Sequence, residues 1–288
     1  MIPGTFDYHR PQGLAEAITL LASLDEDARV IAGGHSLIPM MKLRLAAPTH
    51  LVDLAGIGEL KGVKMDGDTL VIGAMTTQHE LILNSLVAAH APILIEAAEM
   101  IADPQVRYMG TIGGNVANGD PGNDMPALMM ALDAQYLLTG PKGARTIAAR
   151  TYYKGPYDTA AQLGEILTAI RIKSPAAGHG YAYEKLKRKV GDYATAAAAV
   201  VLAVSGGKIA TCAITLTNVA DIPLNATQAA AAVIGTALDN ASLAKAAAAA
   251  ETIASPAVDG RGSAQYRKKM AGVMTARALA RAFARAQA

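Results

Sequence analysis

The chain has 288 residues, 52% of them hydrophobic, with 26 basic and 24 acidic side chains that nearly cancel. That apolar fraction supplies a core and excludes a disordered chain, and the balanced charge gives no reason to expect nucleic acid as a partner. A single cysteine, Cys212, excludes an intrachain disulfide and a thiolate-held iron–sulfur cluster, which needs about four ligands, and six histidines without HxH or HxxxH spacing give no zinc pattern. Any redox role therefore requires an organic cofactor. Met1 to Asp7 has neither a basic nor an apolar leader region, and the longest small-apolar run, Ala194 to Val204, is too short for a bilayer, so a cytoplasmic chain is expected.

Gly13 to Ser23 places Leu14, Ala17, Ile18 and Leu21 on one face and predicts a helix. Ala28 to Ala32 predicts a short strand. The turn Ala32-Gly33-Gly34-His35-Ser36 follows, with Ser36 as candidate cap of a helix-like run to Leu45 and Pro39 near its first turn. Leu51 to Leu54 predicts a second strand, closing a small β–turn–α–β lobe. Thr69 to Ala74 reads as a strand and Thr76 to Leu86 as a helix capped by Thr76 or Thr77. Ala91 to Ile101 reads as a further helix, closed by Asp103-Pro104. Residues 110–124 (GTIGGNVANGDPGND) read as a loop, too rich in Gly, Asn and Asp for regular structure. Met125 to Leu132 predicts a helix with Asp124 as candidate cap. Gln135 to Thr139 and Leu167 to Ile172 predict strands, and Ser174 to Gly178 a linker. Beyond it, Tyr181 to Leu186 predicts a strand. Ala194 to Val204 and Ile209 to Val219 predict a hairpin across Ser205-Gly206-Gly207-Lys208, although alanine favours helix in its first arm. The tail predicts helices over 226–234, 241–253 and 264–286, the last of them basic.

Two glycine turns carry the candidate chemistry: Ala32-Gly33-Gly34-His35-Ser36 and Thr111-Ile112-Gly113-Gly114-Asn115. Glycine lets backbone N–H groups approach a ligand, and successive N–H groups form an anion-binding concavity. Ser36, Thr111 and Asn115 add side-chain donors. Two such turns predict two binding strips for one pyrophosphate-containing ligand. Neither turn fits GxGxxG or a Walker loop. His35 reads either as part of its own loop or as a covalent flavin attachment point. Asp124 reads either as a helix cap or as an acceptor for ribose hydroxyls. Asp103 and Arg107 read as a loop ion pair. In the run Lys185 to Lys189 (KLKRK), strand geometry points Lys185, Lys187 and Lys189 to one face, read as solvated or as a phosphate or acidic-partner contact. Tyr193 reads either as a core tyrosine or as a planar lid on an aromatic ring system.

These turns, with the loop Asn118-Gly119-Asp120-Pro121-Gly122-Asn123-Asp124 and the runs Ile101 to Asn115 and Tyr183 to Val200, resemble the flavin-binding subunits of the molybdenum hydroxylases, the xanthine dehydrogenase family. Within it, the chain resembles the aerobic carbon monoxide dehydrogenase flavoproteins. The resemblance spans Met1 to the basic C-terminal helix. It implies an α+β fold of the vanillyl-alcohol-oxidase (PCMH) type. An FAD-binding domain over 1–177, with lobes of about 1–57 and 58–177, would precede a C-terminal α+β domain with an antiparallel sheet over 178–288. It implies non-covalent FAD with its pyrophosphate on the two glycine turns, Asp124, Leu167 and Lys185 as further FAD ligands, and Tyr193 against the isoalloxazine ring. It implies no catalytic or metal-binding residue in this chain. Molybdopterin and [2Fe–2S] clusters would sit in a large and a small partner subunit, in a dimer of heterotrimers. Electrons from CO oxidation would reach a quinone or cytochrome through this chain, with the complex cytoplasmic or on the inner face of the membrane. A flavin subunit for an N-heterocycle or aldehyde, a stand-alone FAD oxidoreductase, and an assembly protein docking through its basic helix (Arg267, Lys268, Lys269, Arg277, Arg281, Arg285) are the competing readings.

Overall fold

A computed structural model describes residues 2–287; Met1 and Ala288, the outer ends of the two expected domains, lie outside the described residues. The N-terminal unit comprises β1 (Asp7–His9), α1 (Leu14–Leu24), β2 (Ala28–Ile31), α2 (Leu37–Lys42) and β3 (His50–Asp53). Its strands form a parallel sheet in the order β1-β3-β2. The periodicity of α1 turns Ala17 and Leu21 onto Ala28, Val52, Leu54 and Ile57. Met75 and Ile166 from the next unit complete that cluster, so the two units share one apolar seam. Strand β1 was not anticipated, since three exposed or half-buried residues carry no readable alternation.

The second unit comprises β4 (Val63–Asp66), β5 (Thr69–Gly73), α3 (Gln78–Leu83), α4 (Ser85–His90), α5 (Pro92–Met100), α6 (Pro104–Met109), α7 (Ile112–Ala117), α8 (Asp124–Ala131), β6 (Gln135–Gly140), β7 (Gly143–Ala148), α9 (Ala149–Tyr152), β8 (Tyr153–Gly155), β9 (Asp158–Thr159) and β10 (Ile166–Lys173). Its main sheet runs β4-β5-β10-β6-β7, all antiparallel. The expected helix over 76–86 is two helices. Thr77 starts α3 with a capping box to Glu80, and Asn84 ends it while its carboxamide caps α4. The helix expected over 91–101 ends at Met100, ahead of Asp103-Pro104 as expected, and that dipeptide also opens α6. The Asp103 carboxylate accepts from the Val106 N–H, and proline occupies the first helical position, where its missing N–H costs nothing. The expected loop over 110–124 contains α7, because Thr111 caps it and burial of Ile112 and Val116 supplies what propensity lacks. Every residue of α8 is buried, which makes it the central helix of the molecule.

The C-terminal unit comprises β11 (Gly180–Leu186), β12 (Ala196–Ser205), β13 (Lys208–Thr217), β14 (Leu224–Asn225), α10 (Thr227–Ala231), α11 (Asn240–Ile253) and α12 (Ala264–Arg285), with an antiparallel sheet in that strand order. The alanines of β12 are explained by what lies on its two faces. Ala196 and Ala198 join the core beneath α12, while Ala197 and Ala199 join the core beneath α8. A strand covered by helices on both sides has no polar face, and small side chains let both helices approach. The basic face of α12 is largely neutralised within the chain. Arg267 is buried and donates to the carbonyls of Thr195, Ala257 and Asn218. Arg281 and Arg285 pair with Glu96 at 2.6 and 2.7 Å, and Lys269 with Glu251 at 2.8 Å. Only Lys268 and Arg277 of the basic set form no ion pair among the described residues, so most of the expected basic helix has its charge paired within the chain. Among the described residues, no helix is long and apolar enough to cross a membrane.

A Cβ at Gly180 would lie 1.9 Å from the Ala282 carbonyl oxygen, so this glycine lets α12 touch β11. Gly180→Ala is expected to cost about 1–3 kcal/mol in urea unfolding. Gly58→Ala, where an added methyl meets nothing within 4 Å, should stay within about 0.5 kcal/mol of the parent chain.

Candidate functional site

A cleft of about 800 Å³ opens where the three units meet. Its walls are the first glycine turn, the start of α7, the segment 157–165, and Lys185 with residues 191–193. That volume lies within the range of cofactor and ligand pockets.

The two glycine turns are not equivalent. Gly33 presses on the end of α6, where a Cβ would lie 2.1 Å from the Met109 carbonyl oxygen, and Gly34 takes a φ of 75°, which favours glycine. Among the described residues, the N–H groups of Gly33, Gly34, His35 and Ser36 donate to no backbone carbonyl. Ser36 occupies the cap position of α2 without making a side-chain cap bond, so its hydroxyl is uncommitted. His35 is exposed at the cleft wall. This turn therefore presents a row of open donors.

The second turn has spent its donors. Ile112 N–H donates to Thr76 O at 2.9 Å, Gly113 N–H to Ala74 O at 2.8 Å, Gly114 N–H to Thr111 Oγ1 at 3.0 Å and Asn115 N–H to Thr111 O at 3.0 Å. The expectation of a second backbone strip is corrected by these bonds: the segment is a capped helix start, and what it offers is side chains. Thr111, Gly114 and Asn115 line the cleft. Ile112 and Gly113 are buried and do not; a Cβ at Gly113 would lie 2.5 Å from Ala74. Leu167 also stays outside the cleft, in the core on β10 opposite Leu138.

Asp124 is not the cap of α8; Asn123 holds that position and Asp124 is the first helical residue. Its Oδ2 accepts from Lys185 Nζ at 2.7 Å and its Oδ1 from the Tyr183 hydroxyl. The Lys185 and Asp124 side chains are 1% and 5% exposed. Burial, then the Asp124 charge, push the Tyr183 hydroxyl well above its ordinary pKa, so it stays a donor. The solvated-face reading of KLKRK therefore fails at its first residue, since Lys185 is on the cleft floor. Strand β11 ends at Leu186, leaving Arg188 and Lys189 exposed beyond it. The expected Asp103–Arg107 ion pair is absent too: Asp103 caps α6, and Arg107 donates to the Ile101 carbonyl at 2.9 Å.

Tyr193 stands at the cleft wall, 41% exposed, so it is not a core tyrosine. Its hydroxyl donates to Asp120 Oδ2 at 3.2 Å, and partial burial followed by that carboxylate raises its pKa. Arg145 holds the rim at 160–165. It donates to Glu165 at 2.6 and 2.7 Å and to the Ala160 carbonyl at 2.7 Å.

Three cleft residues carry an unmet need. Both amide atoms of Gln78, Oδ1 of Asn115 and Nδ2 of Asn118 are buried without a partner among the described residues. Buried polar atoms are normally satisfied, so these point to a polar ligand. Sequence reading missed Gln78, which sits in an ordinary helix start, and the rim at 157–165, which begins within the β8–β9 hairpin that nothing in the pattern announced. Asn118 and Asn123 lay in the loop already singled out. Asn123 Nδ2 donates to Asn115 O at 2.8 Å, bracing the Asn115 backbone.

Removing Lys185 leaves the Asp124 carboxylate buried and uncompensated, so Lys185→Met is expected to cost about 3–5 kcal/mol in urea unfolding, with part recovered on adding Asp124→Asn. A second test uses pH. The Arg145 hydrogen bonds, opposed by burial and helped by the Gln162 N–H, hold the Glu165 carboxyl below its ordinary pKa. Its stabilising contribution is complete above the unfolded value of about 4.3 and is lost as pH falls through the lower folded value. The urea midpoints of the parent chain and Arg145→Gln should differ at pH 7 and converge under acid conditions.

The comparisons with known proteins agree with this geometry. Residues 4–175 match the family described as the FAD binding domain in molybdopterin dehydrogenase, and residues 181–282 match the CO dehydrogenase flavoprotein C-terminal domain. The carbon monoxide dehydrogenase medium chain of Afipia carboxidovorans is 65% identical over 287 residues, 100% of both chains. That of Hydrogenophaga pseudoflava is 49% identical over 285 residues, 99% of each. A chain in the crystal structure of the Cu,Mo-CO dehydrogenase in its cyanide-inactivated form superposes with a TM-score of 0.98 at 65% identity, covering 99% of this chain and 100% of that one. The fold is accordingly the two-lobed α+β FAD-binding fold with its C-terminal antiparallel-sheet unit, and the chain belongs to the flavin-binding medium-chain family of the molybdenum hydroxylases, among the carbon monoxide dehydrogenase medium chains.

Proposed function

We propose that the cleft holds FAD non-covalently. The observation that carries this reading is the set of unmet polar groups converging on one cavity: Gln78, Asn115, Asn118 and the open N–H row from Gly33 to Ser36. The open row suits the pyrophosphate, whose negative charge backbone N–H groups stabilise. Ala32, Ser36, Thr111, Gly114 and Asn115 extend that surface, and His35 flanks it as a non-covalent neighbour. Lys185 and Asp124 form the floor. Their charges are mutually neutralised, yet the Asp124 carboxylate keeps spare lone pairs for a hydroxyl. Tyr193 stands at the mouth as the planar wall. Ile112, Gly113 and Leu167 serve this site by positioning α7 and β10.

The identity of the relatives extends the proposal. We assign the chain as the FAD-carrying medium subunit of a molybdenum carbon monoxide dehydrogenase, with a large molybdopterin subunit and a small [2Fe–2S] subunit in a dimer of heterotrimers. CO and water would be converted to CO2 in the large subunit. This chain would relay the electrons to an external quinone or cytochrome. Flavin supplies two-electron acceptance with one-electron release, which suits a link between such partners. The chain's own groups bind, orient and screen the cofactor, and none acts on CO. The division into an FAD domain over 1–177, with lobes of about 1–57 and 58–177, and a C-terminal domain over 178–288 is part of the proposal. So is a cytoplasmic site, with the assembled complex on the inner face of the membrane.

Purification with native partners and identification of released cofactors test this. FAD with molybdopterin and iron–sulfur subunits, plus CO-dependent dye reduction, supports it; a colourless chain without partners overturns it. A finer test uses the unmet groups. Gln78→Leu and Asn115→Ala remove buried groups that only a ligand satisfies. Each should leave the flavin-free chain as stable as before, or up to about 2 kcal/mol more so, while lowering FAD affinity about tenfold. A Gly33 substitution is no substitute, because its collision with Met109 would perturb the fold itself.

A further inference from the structure

Tyr193 is held by charged groups from its own loop and from two distant ones. Its N–H donates to Asp192 Oδ1 at 2.9 Å and its hydroxyl to Asp120 Oδ2 at 3.2 Å. The Arg261 guanidinium lies 5.5 Å from the ring centroid, over its face. A Cβ on Gly122 would lie 2.8 Å from the ring, so the loop backbone backs it closely. Each holder is itself fixed. Asp120 Oδ1 accepts from the Gly122 N–H at 2.8 Å. Arg261 is bound through its N–H and Nη1 to Asp259, both at 2.8 Å, and faces Asp192 at 3.8 Å. Arg188 ties the same loops together, donating to Asp192 at 2.9 Å and to the Gly260 carbonyl at 2.9 Å.

We propose that Arg261 and Asp120 are positioning residues that lock Tyr193 into one orientation across the cleft mouth, and that this lock sets how long the flavin stays and how far solvent reaches its ring. The inference rests on the FAD reading above. The physical reason is rotamer control. A 41% exposed tyrosine has room to sample several orientations, whereas a cation on one face and a carboxylate at its hydroxyl leave one. Arg261 precedes α12, more than a hundred residues from the second glycine turn, so the C-terminal unit would control the mouth of a cleft built largely by the other two.

The test uses the intact, partner-bound complex and reads the release rate of FAD and the fluorescence of the bound flavin, which a tyrosine ring in contact quenches. Arg261→Leu and Asp120→Asn are expected to speed release about two- to fivefold, the equivalent of one cation–π or hydrogen-bond contact, and to brighten the bound flavin. Arg261→Lys should restore part of the quenching. In a Tyr193→Leu background, neither substitution should add anything. Wild-type release and fluorescence in both variants would overturn the lock, as would equal effects with and without Tyr193, which would mark a general loss of stability. Asp120→Asn keeps the idea testable if Arg261→Leu does not fold. A wild-type complex that carries no flavin would instead overturn the functional reading, and the lock with it.

Discussion

A nearly water-free ion pair, Lys185 with Asp124, is the contact on which the rest of this architecture depends. Two charges out of water cost several kcal/mol each unless geometry and additional hydrogen bonds compensate. Here the compensation is built in: Lys185 also reaches the Met100 carbonyl, and the Tyr183 hydroxyl takes the second Asp124 oxygen. Lys185 and Tyr183 lie on the first strand of the C-terminal sheet, and Asp124 opens the central helix of the second unit. The pair therefore fixes where the C-terminal sheet docks and forms the cleft floor in the same contact. A misplaced strand would strand both charges, which gives the docking a single register.

Around that floor, the cleft is assembled from local backbone decisions. The first glycine turn leaves its donors open because Gly33 is wedged against α6 and Gly34 adopts positive φ, so the chain turns before any carbonyl can reach it. The second uses its glycines for another purpose. Gly113 lets α7 sit against Ala74, and Gly114 lets the helix start pass Thr111 and Ala32. Similar dipeptides thus do opposite work, one exposing N–H groups and the other permitting close packing that consumes them.

The C-terminal unit is clamped to the second by a polar set as well as by alanine packing. Arg281 and Arg285 converge on Glu96 of α5, and Arg285 lies 4.4 Å above the Tyr181 ring. These pairs are partly screened by solvent and add little individually. Their value is orientation: they tie α12 to α5 and β11 while the alanine face supplies the burial. The loop that precedes α12 then arrives at the cleft mouth in a defined place.

Much of this was legible in the sequence. Apolar periodicity located α1, β2, β5, β10 and the long C-terminal helices, and the turn residues located the β12–β13 hairpin despite its alanines. The motifs around Gly33, Asn115 and Asp124 marked residues that do meet at one cleft. What sequence could not decide were matters of partner. Whether Asp124 caps a helix or pairs with a lysine depends on a strand about sixty residues away, and whether KLKRK is a wet face depends on which residue that strand buries. Helix α7 looked like a loop because its stability comes from burial of Ile112 and Val116 rather than from propensity. Gln78 carried no signal, since an amide in a first helical turn is ordinary until a cavity opens beside it. Local preference and hydrophobic period are properties of the chain itself; which donors stay open and which charges are paired are properties of contacts between distant segments, and those exist only once the three units have packed together.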